Sequence, residues 1–315
     1  MAANPPLQTD TKIRSGIEKS LDRGFIWLTR IFAFAIALVL LGIALQVGTN
    51  ALPAIQQFGP GFIFDQAWDP VNDKYGALPM IYGTLISSLI ALLLAVPIGV
   101  GTAIFLSENF IPLPIRTTLV FLIELLAAIP SVVYGIWGIF VLIPITTALG
   151  TWLHENLGAI PLFSTQPSGP GMLPAGLVLT VMILPIITAI SRDSLASLPP
   201  DLRQASIGLG ATRWETIFRV LVPAAFSGIV GGIMLALGRA MGETMAVTML
   251  IGNANAVNFS LLSPGNTIAS LLANQFAEAS GLQVSALMYA ALILFGLTLI
   301  VNVLAELIIL KVKQI

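Results

Sequence analysis

Apolar residues gather into six long runs along the chain, at 25–47, 80–106, 117–149, 174–190, 224–251 and 285–310. A helix that crosses the hydrocarbon layer needs about 20 mostly apolar residues at 1.5 Å rise each. Each run therefore has the length for a passage. The third is long for one straight helix, and Ile129-Pro130-Ser131 interrupts it. Proline removes a backbone donor and kinks a helix, so this run reads as one bent helix, with two half-helices as the alternative. Either form needs protein or a polar cavity beside the break, because lipid cannot satisfy free carbonyls. The pattern predicts an all-α polytopic membrane protein with six transmembrane helices. Its parts are a tail at 1–24, an anchor helix at 25–47, a loop at 48–77 and a five-helix core at 78–311.

The polar segments between the runs set an orientation. Lys12, Arg14, Lys19, Arg23, Arg116, Arg192, Arg203, Arg213, Arg219, Lys311 and Lys313 lie on one side of the array, and Lys74 lies on the other. By the positive-inside rule both termini face the cytoplasm. The tail is too long and too mixed in charge for a signal peptide, so the first helix is expected to be an uncleaved anchor. The outer segments carry Asp65, Asp69, Asp73, Glu155 and Glu278, which makes that face acidic and the 48–77 loop periplasmic.

Composition narrows the function classes. Charged residues make up 9% of the chain and apolar ones 57%, against roughly 25% charged in a soluble domain. A soluble enzyme and a nucleic-acid binder are both disfavoured. There is no cysteine, and His154 is the single histidine. No catalytic residue, metal or cofactor is therefore expected. No glycine-rich phosphate loop ending in lysine occurs either, so the chain lacks the usual means of holding a nucleotide.

The loop at 191–223 is not composed like a linker. Leu198-Pro199-Pro200-Asp201 gives a turn and an acidic helix start, and Gly210-Ala211-Thr212 gives a break. Thr212 and Glu215 have the spacing of a capping box, opening a second short helix with Arg213, Trp214, Ile217, Phe218 and Arg219. Pro223 is read as opening the fifth span. Two short amphipathic helices fit either a surface on the inner leaflet or a partner's groove. Charges inside the spans are the other anomaly. Arg239 sits near the middle of the fifth run with Glu243 four residues on, one turn away if the helix is continuous. The two form either a self-neutralising pair or a binding site for an anion. Glu124 lines the same path, pairs with Arg239 or bonds a neighbouring helix. Gly228, Gly232, Gly238 and Gly242 permit close helix packing, and His154 is expected to face solvent.

Two sets of residues resemble a known family. Gln204-Ala205-Ser206, Gly210 and Val220-Leu221-Val222-Pro223 resemble the EAA signature of ATP-binding-cassette (ABC) importer permeases, with Gln204 for the usual glutamate and Ser206 for the second alanine. The segment Gly238-Arg239-Ala240-Met241-Gly242-Glu243-Thr244-Met245-Ala246-Val247 resembles the phosphate-importer permeases of the PstC type, as do residues 75–85 and 128–135. The resemblance spans about residues 58–311. It implies the type I ABC importer permease fold, with 191–223 as a coupling loop for a separate ATPase. It puts Gln204, Ala205, Ser206, Gly210, Arg213, Trp214 and Glu215 at that contact, and Arg239, Glu243, Thr244 and Glu124 on the substrate path. It implies a PstA-like second permease, a PstB-like ATPase dimer and a PstS-like periplasmic phosphate-binding protein as partners, besides membrane lipid. Two other readings stand beside it. One is a permease of the same superfamily for another oxyanion or solute. The other is a proton-coupled carrier relaying through Glu124 and Glu243, although such carriers usually show internal repeats.

Overall fold

The computed structural model describes residues 16–312 apart from Asn109. The chain divides into two units, residues 1–49 and 50–315. The described part of the first is a single helix, the start of α1 (Gly16–Phe58). Its apolar side chains, among them Ile31, Phe32, Leu38 and Leu41, are exposed all round, as suits a helix whose solvent is lipid.

The second unit holds the last turns of α1 and eleven further helices: α2 (Leu78–Ser107), α3 (Leu113–Ala128), α4 (Ser131–Trp137), α5 (Ile143–Leu157), α6 (Met172–Ala196), α7 (Pro200–Gly208), α8 (Arg213–Thr216), α9 (Val222–Gly242), α10 (Met245–Leu250), α11 (Ile268–Gln275) and α12 (Leu282–Val312). Among the described residues, six helical stretches are long and apolar enough to cross a membrane, beginning at Ser20, Leu78, Ser131, Met172, Arg213 and Leu282. The centre is α6, which lies along both α2 and α9. Small residues bring these helices close. A side chain at Gly176 would strike Ile90, one at Gly99 would strike Ile187, and one at Gly232 would press on Ile190. Ala91, Ala95, Ile183, Ile187, Ala236 and Ala240 fill the seam between them.

The boundaries differ from the sequence expectation at several points. The first helix runs to Phe58 instead of 47, so the loop at 48–77 shrinks to a helical turn (Gly59–Ile63) and a two-stranded hairpin, β1 (Trp68–Asp69) with β2 (Lys74–Tyr75). An aromatic cluster of Phe58, Phe62, Trp68, Tyr75 and Tyr289 braces that hairpin. The third run is two helices, not one bent one. Ile129 and Pro130 are extended, with ψ of 127° and 140°, because the residue before proline avoids the helical region. The membrane-length stretch starts only at Ser131. The Tyr134 hydroxyl donates to the Leu126 carbonyl at 2.8 Å, satisfying one of the acceptors freed at the end of α3. Two wide π-helical turns, Gly138–Leu142 and Ile217–Leu221, join α4 to α5 and α8 to α9. Pro223 therefore lies inside a continuous helical path instead of starting a new span. His154 is half-buried, with its Nδ1 2.9 Å from the Phe163 carbonyl oxygen, so it pins a turn rather than facing solvent.

Candidate functional site: an arginine-lined cavity and an amphipathic loop

The fifth apolar run does not continue as one helix through its charged residues. Helix α9 stops at Gly242, and Glu243 is extended (φ −68°, ψ 124°). Glycine at 238 and 242 weakens the last turn, and the Glu243 carboxylate finds other work: its Oε1 accepts from the Ala246 amide at 3.4 Å, at the start of α10. Arg239 and Glu243 are therefore not one helical turn apart on a shared face, and they form no ion pair. The self-neutralising pair is corrected on this ground. The Thr244 hydroxyl donates to the Gly242 carbonyl at 3.2 Å, within the break.

Arg239 is exposed and lines a cavity of about 560 Å³ with Ile186, Gly231, Met234, Leu235, Gly238 and Asn302. Among the described residues its guanidinium has no ion-pair partner. The structure places Arg239 not near the middle of a span but in the last turn of α9, where a cation suits the negative end of the helix dipole. With no carboxylate beside it, its planar fork of donors suits an incoming oxyanion. Asn302 on α12 was missed at the sequence level, although a lone amide between Val301 and Val303 is a visible signal. Glu124 is elsewhere. Its carboxylate is 3.8 Å from Arg192 and its side chain is 58% exposed, so it is neither buried nor paired with Arg239. The glycines divide by face. Gly228 and Gly232 meet Ser194 and Ile190 of α6, whereas a side chain at Gly231, Gly238 or Gly242 would touch nothing. Within this chain the first pair packs closely against α6, and the second pair meets no neighbouring helix.

The loop after α6 is ordered by its own sequence. Pro199 and Pro200 start α7, and Gly210 ends it at φ +86°, the left-handed position that glycine takes at helix ends. Thr212 and Glu215 form a complete capping box. The Glu215 amide donates to Thr212 Oγ1 at 3.3 Å, and the Thr212 amide donates to Glu215 Oε2 at 2.9 Å. The Thr212 amide and, after it, the Thr212 hydroxyl at 2.8 Å both donate to that carboxylate and hold the Glu215 carboxyl below its ordinary range. Gln204, Ala205, Ile207 and Leu209 are exposed on α7, Leu209 at 90%. Ser206 is buried and within 3.0 Å of the Thr216 hydroxyl. Arg213 and Trp214 turn toward Phe110: the guanidinium stands 3.8 Å over that ring, and the indole centroid is 5.6 Å from it. Glu108, absent from the sequence reading, accepts from Arg203 Nη2 at 2.7 Å. Nothing in the chain separates it from an ordinary helix-end carboxylate until α7 is seen beside it. No group of three His, Cys, Asp or Glu side chains among the described residues has the arrangement to hold a metal.

Residues 95–314 match the family described as binding-protein-dependent transport system inner membrane component. Among curated relatives, the phosphate transport system permease protein PstC of Haemophilus influenzae is 45% identical over 91% of this chain and 92% of its own length. PstC of Mesorhizobium japonicum is 43% identical over 92% and 90%. The probable PstC of Methanocaldococcus jannaschii is 37% identical over 81% and 82%. Among solved structures, the MetNI methionine ABC transporter in an inward-facing conformation resembles the fold with a TM-score of 0.52 and 17% identity, over 75% of this chain and 94% of that one.

Proposed function

Because the chain belongs to the binding-protein-dependent transport system inner membrane components, we propose that it is the membrane-spanning permease of an ATP-driven importer of inorganic phosphate. It is an all-α, multi-pass membrane protein with the type I ABC importer permease fold, and it is a transport subunit, not an enzyme. The observation that carries the substrate is the 45% identity to a phosphate permease over nine-tenths of the chain. The geometry agrees with that substrate. Arg239 presents a bidentate donor to the cavity it lines, and hydrogen phosphate has oxygens to accept from it. Glu243, half-buried beyond the end of α9, is the acceptor for the proton that phosphate carries and sulfate lacks at neutral pH. Thr244 shapes the break that holds it there.

Uptake of an anion into a negative interior costs roughly 2.3 kcal/mol per charge per 100 mV, so energy has to enter from outside this chain. The exposed face of α7, with Gln204, Ala205, Ile207 and Leu209, seats in a groove of a PstB-like ATPase dimer. Ser206, Gly210, Arg213, Trp214 and Glu215 shape and hold that face. A PstA-like second permease lies along the bare glycine side of α9, and a PstS-like periplasmic binding protein delivers phosphate at the opposite end. Both termini are cytoplasmic, in a cell inner membrane. Glu124, paired with Arg192, anchors α3 to the cytoplasmic end of α6.

The test is reconstitution of this chain with its partners in vesicles. ATP-dependent accumulation of phosphate is expected, and it stops when the ATPase is left out. Accumulation by this subunit alone, or equal uptake of sulfate and phosphate, would refute the reading.

A further inference from the structure

The contact between α7 and the end of α2 has a construction that docking an ATPase does not explain. Arg203 on α7 donates to Glu108 at 2.7 Å, and that carboxylate side chain is only 7% exposed. The partners are 95 residues apart in the chain. Phe110, just beyond Glu108, is covered by the Arg213 guanidinium and faces Trp214. Below them Ile104, Leu195, Ile217 and Leu221 form one buried cluster. A cavity of about 390 Å³ adjoins the ion pair, lined by Glu108, Arg203, Ile207, Ala211, Arg213 and Thr216. A buried ion pair adds little net stability over an apolar replacement, but breaking it strands a charge. Its physical use is registry: it permits one relative position of two elements.

We infer that Glu108 and Arg203 form a positioning lock that makes the turn after α2 a second leg of the coupling element. The inference rests on the coupling role given to α7 above. By backbone alone α7 is joined to the rest of the chain at two points, the Leu198-Pro199 turn and Gly210. Force on its exposed face would swing it about those points. The Ser206–Thr216 bond ties α7 to the end of α8, which leads through the wide turn into α9, and the Glu108–Arg203 pair ties it to the end of α2. A push on α7 then moves α2 and α9 together. Both pack on α6, whose Ile186 forms one wall of the Arg239 cavity. Without the lock, α9 takes the stroke alone and α2 lags.

The experiment measures solute moved per ATP hydrolysed by the assembled transporter in vesicles. Glu108→Gln should retain the ATPase subunit and its hydrolysis rate while uptake per ATP falls several-fold. The reversed pair, Glu108→Arg with Arg203→Glu, should recover much of that loss. Where Glu108→Gln gives little folded protein, Glu108→Cys/Arg203→Cys decides the matter in a chain with no cysteine of its own. Uptake per ATP should be low for the free thiols and restored once a short bis-maleimide alkylates and bridges them. Unchanged uptake per ATP in these variants, or no recovery on bridging, would overturn the lock. A wild-type complex that couples hydrolysis to a solute other than phosphate would sink the substrate reading and leave this one standing.

Discussion

Arg239 combines an open cavity with a guanidinium that has no ion-pair partner among the described residues, so its conservative replacement is informative. Arg239→Lys keeps the charge and removes the fork. Losing one charge-assisted hydrogen bond to substrate costs about 1.5–3 kcal/mol, roughly ten- to a hundredfold in phosphate uptake. Initial uptake rates at fixed ATP hydrolysis check this. Glu243→Gln addresses selectivity. The variant should lose discrimination between phosphate and sulfate more than it loses total transport, as measured by competition between the two labelled anions. Glu215 makes the start of α8 sensitive to pH. Its carboxyl is held low by hydrogen bonds from Thr212. A depressed folded-state value gives support that is fully present above the unfolded carboxyl range and is lost as pH falls through the lowered value. The protection factors of the amides at the start of α8, corrected for the intrinsic pH dependence of exchange, should be highest at neutral pH and fall on acidification below about pH 4, and in Glu215→Ala they should be low throughout.

At the scale of helices, the glycines of α9 make opposite forecasts on one element. Gly228→Ala drives a methyl into Ser194, both its hydroxyl and its Cβ. Overpacking of this kind costs about 1–3 kcal/mol and should lower the thermal midpoint in detergent. Gly238→Ala meets nothing in this chain and should leave that midpoint unchanged or raised. The existence of the spans was legible because lipid demands long apolar runs. Their ends were less so, since Phe58 and Leu157 close helices that extend past the apolar stretches into polar sequence. The break at Pro130 was legible as a break, and the choice between a bend and two helices depended on the dihedrals of Ile129. The break at Glu243 was hidden. Gly238 and Gly242 weaken the last turn without dictating where it stops, and the contact of the carboxylate with the Ala246 amide at the start of α10 is seen only in the fold. The capping box was readable because its two residues are three apart. The Glu108–Arg203 pair was not, because its members are 95 apart.

For the whole molecule, the arrangement separates where anion is met from where force is received. Deleting residues 202–219 removes α7 and α8 and should abolish capture of the ATPase in a detergent pull-down, while the membrane helices still insert. Retained capture would count against the coupling role. Between the two regions runs a single helical path interrupted by the wide turn at Ile217–Leu221. Such a turn holds one residue more than the α-helix needs, and each residue rotates the path by about 100°. The angular setting of Arg239 relative to the capping box therefore depends on that surplus residue. Removing one amino acid there would re-phase everything downstream, turning the guanidinium away from its chamber with scarcely any change in hydropathy.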